Sequence, residues 1–270
     1  SLHRGTHTVL DYIYSLNITV GDTRRVDCPI CKGYKTFTVT NNMGSLLWNC
    51  YKASCNVSGK KRVHLSVEDI QTTFSKTIES NKENDFVLPE YVVDRKNTPD
   101  IVSWCNKWSI NATDLDLHYD VKEHRVVFPV YKDNKIVDAI GRSLGKRLPK
   151  WKKYGNSGLP FSFGCGKVAV VVEDCVSAAV VGSDVFVGVA VLGTSLSEIH
   201  KKHIAQFSTA IIALDPDALP KTLSFAKELR GHVRDVRVLK LKDDLKYNNR
   251  VDFKNLHNLT PKEIQTWNFH

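Results

Sequence analysis

The sequence predicts an α/β protein in which a small N-terminal β unit precedes a parallel sheet. In the second half of the chain, short apolar runs rich in β-branched residues alternate with amphipathic segments, the pattern of strands and helices in a βαβ array. In the first quarter, four cysteines in two pairs flank a predicted hairpin. A chain of 270 residues is long enough for two or three small domains.

The chain carries a net positive charge. It has 38 Lys and Arg residues against 29 Asp and Glu, which gives +9 with the ten histidines neutral. This balance favours an acidic polymer as partner, because binding to phosphates releases counterions, although a basic surface can also serve solubility alone. No apolar run reaches the roughly 18 residues needed to cross a bilayer, and the polar N-terminus does not resemble a signal peptide, so we expect no membrane association.

The first predicted domain, residues 1–64, contains the paired cysteines. Two residues separate Cys28 from Cys31, four separate Cys50 from Cys55, and the predicted hairpin lies between the pairs. Thiolates converging from two such pairs can bind one Zn²⁺ tetrahedrally, and four protein ligands leave no open position, so a structural zinc is expected. The alternative is four unrelated buried cysteines. The total of seven cysteines does not suit a secreted disulfide framework and favours a reducing compartment.

Aromatic and cationic residues in the same domain form a candidate surface for single-stranded nucleic acid. The candidates for template recognition are Tyr34, Trp48 and Lys52. Trp48 could equally belong to the small core of this domain.

The middle of the chain is predicted to be a linker followed by a basic subdomain. Residues 65–85 are polar without a dense apolar pattern, which indicates a tether or a short exposed helix. Residues 86–166 combine short strands with basic loops. The candidate ligands for nucleotide and template are Arg125, Arg142, Arg147, Lys150, Lys152 and Lys153. A run of cations can also be only a solvated surface.

The regular βα array covers residues 167–245, and residues 246–270 are predicted to form a C-terminal helical segment. Strands are predicted at 168–172, 185–192, 210–214 and 236–239, with helices at 177–181, 195–207 and 219–229. Alternation with short loops predicts a parallel sheet covered on both faces.

Acidic residues follow three of these strands. Glu173 comes after the first strand, Asp215 and Asp217 after the third, and Asp243 after the fourth. Because the carboxyl ends of parallel strands meet at one edge of a sheet, we expect these carboxylates to lie close together. Hard oxygen ligands suit Mg²⁺ or Mn²⁺. Alternatively, such acids cap the helices that follow, a role open to Asp217 and Asp174.

On these residues, the segment 167–243 resembles a TOPRIM domain, the metal-binding fold shared by primases, topoisomerases and some nucleases. The family has a Glu after its first strand, an Asp-x-Asp after its third and often a further Asp downstream. Glu173, Asp215 with Asp217, and Asp243 match this pattern. With the four-cysteine unit in front, the whole chain resembles primases of the bacteriophage T7 type, which are related to bacterial replicative primases.

Two departures from the family pattern lie beside the acids. Asp174 stands where the family usually has Gly, and residues 218–220 read Ala-Leu-Pro where the family has Ala-Gly. Neither departure removes a ligand, and Pro220 suits a first helical turn.

The resemblance implies a DNA primase that synthesises short RNA primers from ribonucleoside triphosphates on single-stranded DNA. The cysteine unit would then be a zinc ribbon that recognises the template, and the carboxylates, with Mg²⁺ or Mn²⁺, would catalyse nucleotidyl transfer. The resemblance also implies a replicative helicase and a DNA polymerase as partners, and the cytoplasm of an infected bacterium as location. No P-loop motif occurs in this chain, so any helicase is expected to be a separate protein or to lie beyond it.

Two other functions use the same residues. A TOPRIM nuclease would cut phosphodiesters with the same acids, and a non-catalytic zinc and TOPRIM protein of recombination or repair would only bind DNA. Cys105, Cys165 and Cys175 are expected to be plain core cysteines.

Overall fold

The computed structural model describes most of the chain. The described residues are 2–42, 44–68, 71 and 86–262, with side chains from residue 9 onward. Most of the linker predicted at 65–85, and the end of the segment predicted at 246–270, therefore lie outside the described residues. In the part of the chain that the structure describes, no helix is both long and apolar enough to cross a membrane.

The chain divides into two compact units. The first comprises Ser1–Glu83 and Ser224–Val236, and the second comprises Asn84–Leu223 and Arg237–His270.

The first unit contains helix α1 (Leu2–Ser15) and a four-stranded antiparallel sheet. Its strands are β1 (Thr23–Val26), β2 (Phe37–Asn42), β3 (Ser45–Cys50) and β4 (Ser58–Arg62), in that spatial order. The predicted hairpin is the β2–β3 pair. Val9 and Ile13 of α1 are buried in one cluster with Phe37 and the cysteines, so the small domain has a continuous apolar core.

The second unit begins with an antiparallel sheet. Strands β5 (Val92–Val93), β6 (His118–Asp120), β7 (Arg125–Lys132), β8 (Lys135–Ser143) and β9 (Trp151–Lys153) lie in chain order, and helix α2 (Pro99–Trp108) precedes β6. The long β7–β8 hairpin is its centre.

The predicted parallel sheet follows and is confirmed. Its elements are β10 (Phe161–Phe163), β11 (Val168–Val172), α3 (Cys175–Val181), β12 (Phe186–Ala190), α4 (Glu198–Ile204), β13 (Thr209–Ile212), α5 (Leu219–Leu229) and β14 (Asp235–Val238). A 3₁₀ turn (Leu245–Tyr247) and helix α6 (Arg250–Asn258) come after it. The spatial order is β10-β12-β11-β13-β14, in which β11 runs parallel to both β12 and β13. The sequence did not predict the antiparallel edge strand β10.

Strand β11 occupies the centre of this sheet because all five of its side chains are apolar and buried. In the neighbouring strand, Gly188 lets helix α3 lie close to the sheet, since a Cβ at this position would stand 2.2 Å from the carbonyl oxygen of Ala178. Strands β12 and β13 lie on opposite sides of β11, so the order of the strands reverses at its carboxyl end, where ligands of open α/β sheets bind. Glu173 is the next residue.

The two sheets of the second unit share one core. Phe128 and Ile140 of the antiparallel sheet are buried in the same cluster as Val170 and Ile211 of the parallel sheet. This packing fixes the strand that carries Trp151 relative to the carboxyl ends of β11 and β13.

Candidate functional site

The four cysteines of the first unit converge as the sequence predicts. The Sγ atoms of Cys28 and Cys55 are 4.0 Å apart, those of Cys31 and Cys50 are 3.7 Å apart, and all four lie within 4.8 Å of one another. Tetrahedral zinc with Zn–S bonds of about 2.3 Å places its sulfur ligands about 3.8 Å apart, so this cluster fits a tetrahedral metal. His64, the histidine that follows strand β4, does not belong to the cluster.

Backbone N–H groups support the thiolate form of these cysteines. The N–H groups of Cys31 and Ile30 point at the Cys28 thiol, and that of Val57 points at Cys55. The Gly33 N–H lowers the pKa of Cys31 to about 7, whereas burial raises the pKa of Cys55 to about 12. Thiolates buried in this way require a nearby positive charge, which a bound dication would supply.

The remaining cysteines divide into two kinds. Cys105 and Cys175 are buried in the core, as expected. The expectation for Cys165 is wrong, because this residue follows the edge strand β10 and its side chain is exposed.

Of the three residues predicted to recognise template, two are accessible. Tyr34 is 76% exposed and Lys52 is also exposed. The prediction for Trp48 is wrong: its ring is only 8% exposed and lies against Gly59 on strand β4, where a Cβ would approach the ring to 2.5 Å. Trp48 therefore belongs to the core, the alternative left open by the sequence.

A cavity of 260 Å³ lies at the carboxyl edge of the parallel sheet, within the second unit. Acidic and basic side chains both line it, together with one aromatic ring and a loop. The acids are Glu173, Asp174 and Asp215, the cations are Lys150, Lys221 and Lys246, and the others are Trp151, Leu192 and Gly193. Glu173 and Asp215 arrive from separate strands, as predicted. We call this feature the carboxylate cavity.

Asp215 has a raised pKa in the carboxylate cavity. Burial, followed by the negative charges of Glu173 and Asp244, raises the pKa of Asp215 to about 7. A carboxylate with so high a pKa lacks sufficient cationic neighbours for its ionised form. A hard divalent cation bound beside Glu173 and Asp215 would restore the ionised state.

Two lysines partly offset the negative charge. The Nζ of Lys221 donates to Glu173 Oε1 at 3.1 Å, and that of Lys246 lies 2.9 Å from Asp244 and 3.3 Å from Asp174. Burial alone would lower the pKa of Lys246, but the two carboxylates raise it above its ordinary value overall. Asp174 also accepts from the Ser177 N–H at 2.9 Å and caps helix α3, the alternative role that the sequence left open for this residue.

The structure does not bring Asp217 and Asp243 into the carboxylate cavity. Both side chains are exposed, and neither lines the cavity. The buried carboxylate of Asp252 holds the turn in place by accepting from the N–H groups of Lys242, at 2.9 Å, and Asp243, at 3.1 Å. Of the adjacent residues Asp243 and Asp244, the sequence analysis chose Asp243 as a metal ligand. In the structure, Asp244 is the one whose negative charge raises the pKa of Asp215.

The six predicted cationic ligands take different positions. Lys150 lines the carboxylate cavity, and the Arg142 guanidinium lies 5.6 Å from the Trp151 ring beside it. Arg147 and Lys153 are exposed.

Arg125 and Lys152 instead share one acidic partner. Their side-chain nitrogens lie 2.8 Å and 2.7 Å from Glu123, and these two bonds lower the pKa of Glu123 to about 2. The Arg125 side chain is completely buried and also donates to the Pro149 carbonyl at 2.8 Å. The prediction that Arg125 contacts nucleotide or template is therefore wrong, because its guanidinium cannot be reached by a ligand. Lys152 remains partly exposed.

A second group with metal-ligand chemistry is already partly neutralised within the protein. Asp94, Asp116 and His118 lie close together, but the ammonium of Lys96 is paired with both carboxylates, at 2.5 Å and 2.9 Å.

The solved structures to which the chain is similar include primases. The DnaG catalytic core is 14% identical with a TM-score of 0.47, over 60% of this chain and 74% of that one. The DnaG primase catalytic domain bound to ssDNA is 15% identical with a TM-score of 0.46, over 72% and 78%. The primase fragment of the bacteriophage T7 primase-helicase protein is 16% identical with a TM-score of 0.43, over 87% and 97%. No protein-family model and no curated protein matches the sequence.

The cysteine cluster predicts metal content that depends on Cys55 but not on Cys165. The full chain should bind about one zinc ion, and Cys55→Ser should lose it because one of four ligands is replaced by a weak one. Zinc released by a thiol-blocking reagent and bound by a chromogenic chelator measures this content. Cys165→Ser, at an exposed thiol outside the cluster, is the matched control. Equal zinc in both variants would contradict the assignment.

The raised pKa of Asp215 predicts a dependence of stability on pH in the absence of divalent cations. Between about pH 4 and pH 7 the folded chain retains a proton that the unfolded chain has released, so this group's contribution to stability falls as pH rises through that window. Thermal unfolding of the zinc-loaded chain without added Mg²⁺ or Mn²⁺ should show that Asp215→Asn gains stability relative to the parent at pH 7.5 and gains less at pH 5. Mg²⁺ should stabilise the parent at pH 7.5 and not this variant. Asp133→Asn, in the exposed β7–β8 turn, is the control outside the cavity, and a constant offset of Asp215→Asn at both pH values would count against the mechanism.

Proposed function

We propose that this chain is a DNA primase, a DNA-directed RNA polymerase that makes short RNA primers on single-stranded DNA. The observation that supports the proposal most strongly is the carboxylate cavity, in which Glu173 and Asp215 from separate strands meet beside Lys150 and Lys221. Enzymes that transfer phosphoryl or nucleotidyl groups use carboxylates to bind a divalent cation and neighbouring cationic side chains to bind the phosphates.

Two metals are assigned to the two clusters. Structural Zn²⁺ is assigned to the four cysteines. Mg²⁺ or Mn²⁺ is assigned to Glu173 and Asp215, with Asp244 beside them. A divalent cation bound there would stabilise negative charge on the attacking and leaving oxygens of the transfer. Asp217 and Asp243, which are both exposed, are proposed to hold the cation that accompanies the incoming nucleotide.

The protein's own groups would position the reactants. Glu173 is proposed to accept the proton of the primer 3′-hydroxyl or to orient a metal-bound water. Lys150, Lys221 and Lys246 are proposed to contact the triphosphate, because their ammonium groups line the same cavity as the acids. Each of these contacts would orient a phosphate for in-line attack.

Residues of each unit are proposed to contact the template. Tyr34 and Lys52 are proposed to contact template bases and phosphates, and Arg142, Arg147, Lys152 and Lys153 are proposed to hold the strand or the nucleotides. The net charge of +9 supports a nucleic-acid partner. A replicative helicase and a DNA polymerase are the proposed protein partners, and the bacterial cytoplasm is the proposed location.

The test is synthesis by the full chain on a single-stranded template with four ribonucleotides and Mg²⁺ or Mn²⁺. Asp215→Asn and Glu173→Gln should each reduce template-dependent oligoribonucleotides by at least about a hundredfold, since each removes a ligand worth several kcal/mol to the transition state. Asp244→Asn should reduce synthesis more than Asp243→Asn does, because only Asp244 acts on Asp215. Binding of the template, measured by fluorescence anisotropy, should be retained in all four variants.

The control is Asp133→Asn, in the exposed β7–β8 turn, which should keep full activity because asparagine tolerates its positive φ of 51°. Shortened template in place of new RNA would instead indicate a nuclease that uses the same carboxylates. Template binding without turnover would indicate a non-catalytic DNA-binding protein. Full activity of Asp215→Asn would show that the carboxylate cavity is not the catalytic site.

A further inference from the structure

A second cavity, of 190 Å³, adjoins the carboxylate cavity within the second unit. Its lining combines three aromatic rings with three cations: Trp104, Trp108, Tyr247, Arg142, Lys150 and Lys246. We call it the aromatic recess. We propose that the aromatic recess binds the base of the ribonucleoside triphosphate whose phosphates enter the carboxylate cavity. This inference rests on the proposed function and names the part of the substrate that each cavity receives.

The rings of the recess are arranged as stacking surfaces. The centroids of Trp108 and Tyr247 are 5.6 Å apart with their planes inclined at 54°, so the two rings form a wedge. Tyr247 is 56% exposed, which leaves much of its ring available to a ligand. Trp104 meets the buried ring of Phe128 edge-on, at 6.0 Å and 74°, so the core holds it in place. A planar group that enters the recess therefore meets preorganised aromatic surfaces.

Polar groups at the recess suit a base as well. The Nε1 of Trp108 is buried and has no hydrogen-bond partner among the described residues. Such a donor costs free energy unless it is satisfied, and the ring nitrogens and carbonyl oxygens of nucleobases are acceptors. The Lys246 ammonium lies 6.0 Å from the Trp108 ring and 5.7 Å from the Tyr247 ring, within cation–π range of both.

The two cavities are continuous in their lining. Lys150, Asp174 and Lys246 contribute to both. A ligand that spans them would place anionic groups between Lys150 and Lys246 and a planar group against Trp108 and Tyr247. A nucleoside triphosphate has a planar base at one end and anionic phosphates at the other, so it matches both cavities. At 190 Å³ the recess accommodates one base and not a stacked run of several, which favours a mononucleotide over a template strand.

The test separates the base from the phosphates. Equilibrium binding to the full chain in Mg²⁺ is measured for ATP and, separately, for inorganic tripolyphosphate, by isothermal titration calorimetry. The parent should bind ATP about tenfold more tightly than tripolyphosphate, as expected for one base stacked on aromatic side chains. Tyr247→Ala should remove this advantage and leave the affinity for tripolyphosphate unchanged. Tyr247→Phe, which keeps the ring, should retain it.

Tyr131→Ala is the matched control, because Tyr131 is a similarly exposed tyrosine, 48% accessible, outside the recess. If the parent binds both ligands and Tyr247→Ala loses no preference for ATP, the inference is overturned and the proposed function is untouched. If Tyr247→Ala weakens only a single-stranded oligodeoxynucleotide, the recess receives a template base and the inference is again overturned. A parent chain that binds neither ATP nor tripolyphosphate would remove the proposed function together with this inference.

Discussion

The negative charge at the carboxyl ends of two parallel strands determines which side chains can lie beside the candidate site of the second unit. The apolar strand β11 and its neighbour β13 hold Glu173 and Asp215 at this edge, and the turn before α6 adds Asp244. Burial, followed by the negative charges of Glu173 and Asp244, raises the pKa of Asp215 to about 7. Lys221 and Lys246 relieve part of the repulsion through ion pairs, and a divalent cation would relieve the rest.

The common core of the two sheets determines what faces these acids. Phe128 and Ile140 pack with the strands of the parallel sheet, which sets Lys150 and Trp151 against the carboxylate cavity. The same packing holds Trp104 in the aromatic recess. Cations and aromatic rings thus line the same cavities as the carboxylates, beside strands that this core holds in place. Such an arrangement helps to orient a substrate.

Local patterns in the sequence predicted the parallel array, the hairpin and the cysteine cluster. Strand β11 is a run of valines and alanine, and the cysteine spacing constrains the thiols to meet, so neither depended on distant contacts. Which of Asp243 and Asp244 lies near Asp215 does depend on a contact between residues apart in the chain. The buried Asp252 fixes the turn by accepting from the N–H groups of Lys242 and Asp243. Asp252 lies nine residues after Asp243, and this spacing gives no periodic signal in the sequence.

Burial of charged and aromatic side chains was the other property that sequence could not provide. Arg125 follows a turn and precedes an apolar strand, which is equally compatible with an exposed cation and with a buried one. Its burial follows from Glu123 and from the carbonyl of Pro149, a residue of a distant loop. Trp48 and Cys165 are two further examples. Trp48 was predicted to be accessible, but the neighbouring strand β4 covers it. Cys165 was predicted to be buried, but it lies exposed after an edge strand that the sequence did not predict.

Anomalous diffraction from crystals soaked in Mn²⁺ and a non-hydrolysable ribonucleoside triphosphate would locate the cation itself. We expect a manganese peak at about 2.1 Å from carboxylate oxygens of Glu173 and Asp215, with the triphosphate beside Lys150. An ordered nucleotide elsewhere, with no manganese at these two side chains, would contradict it.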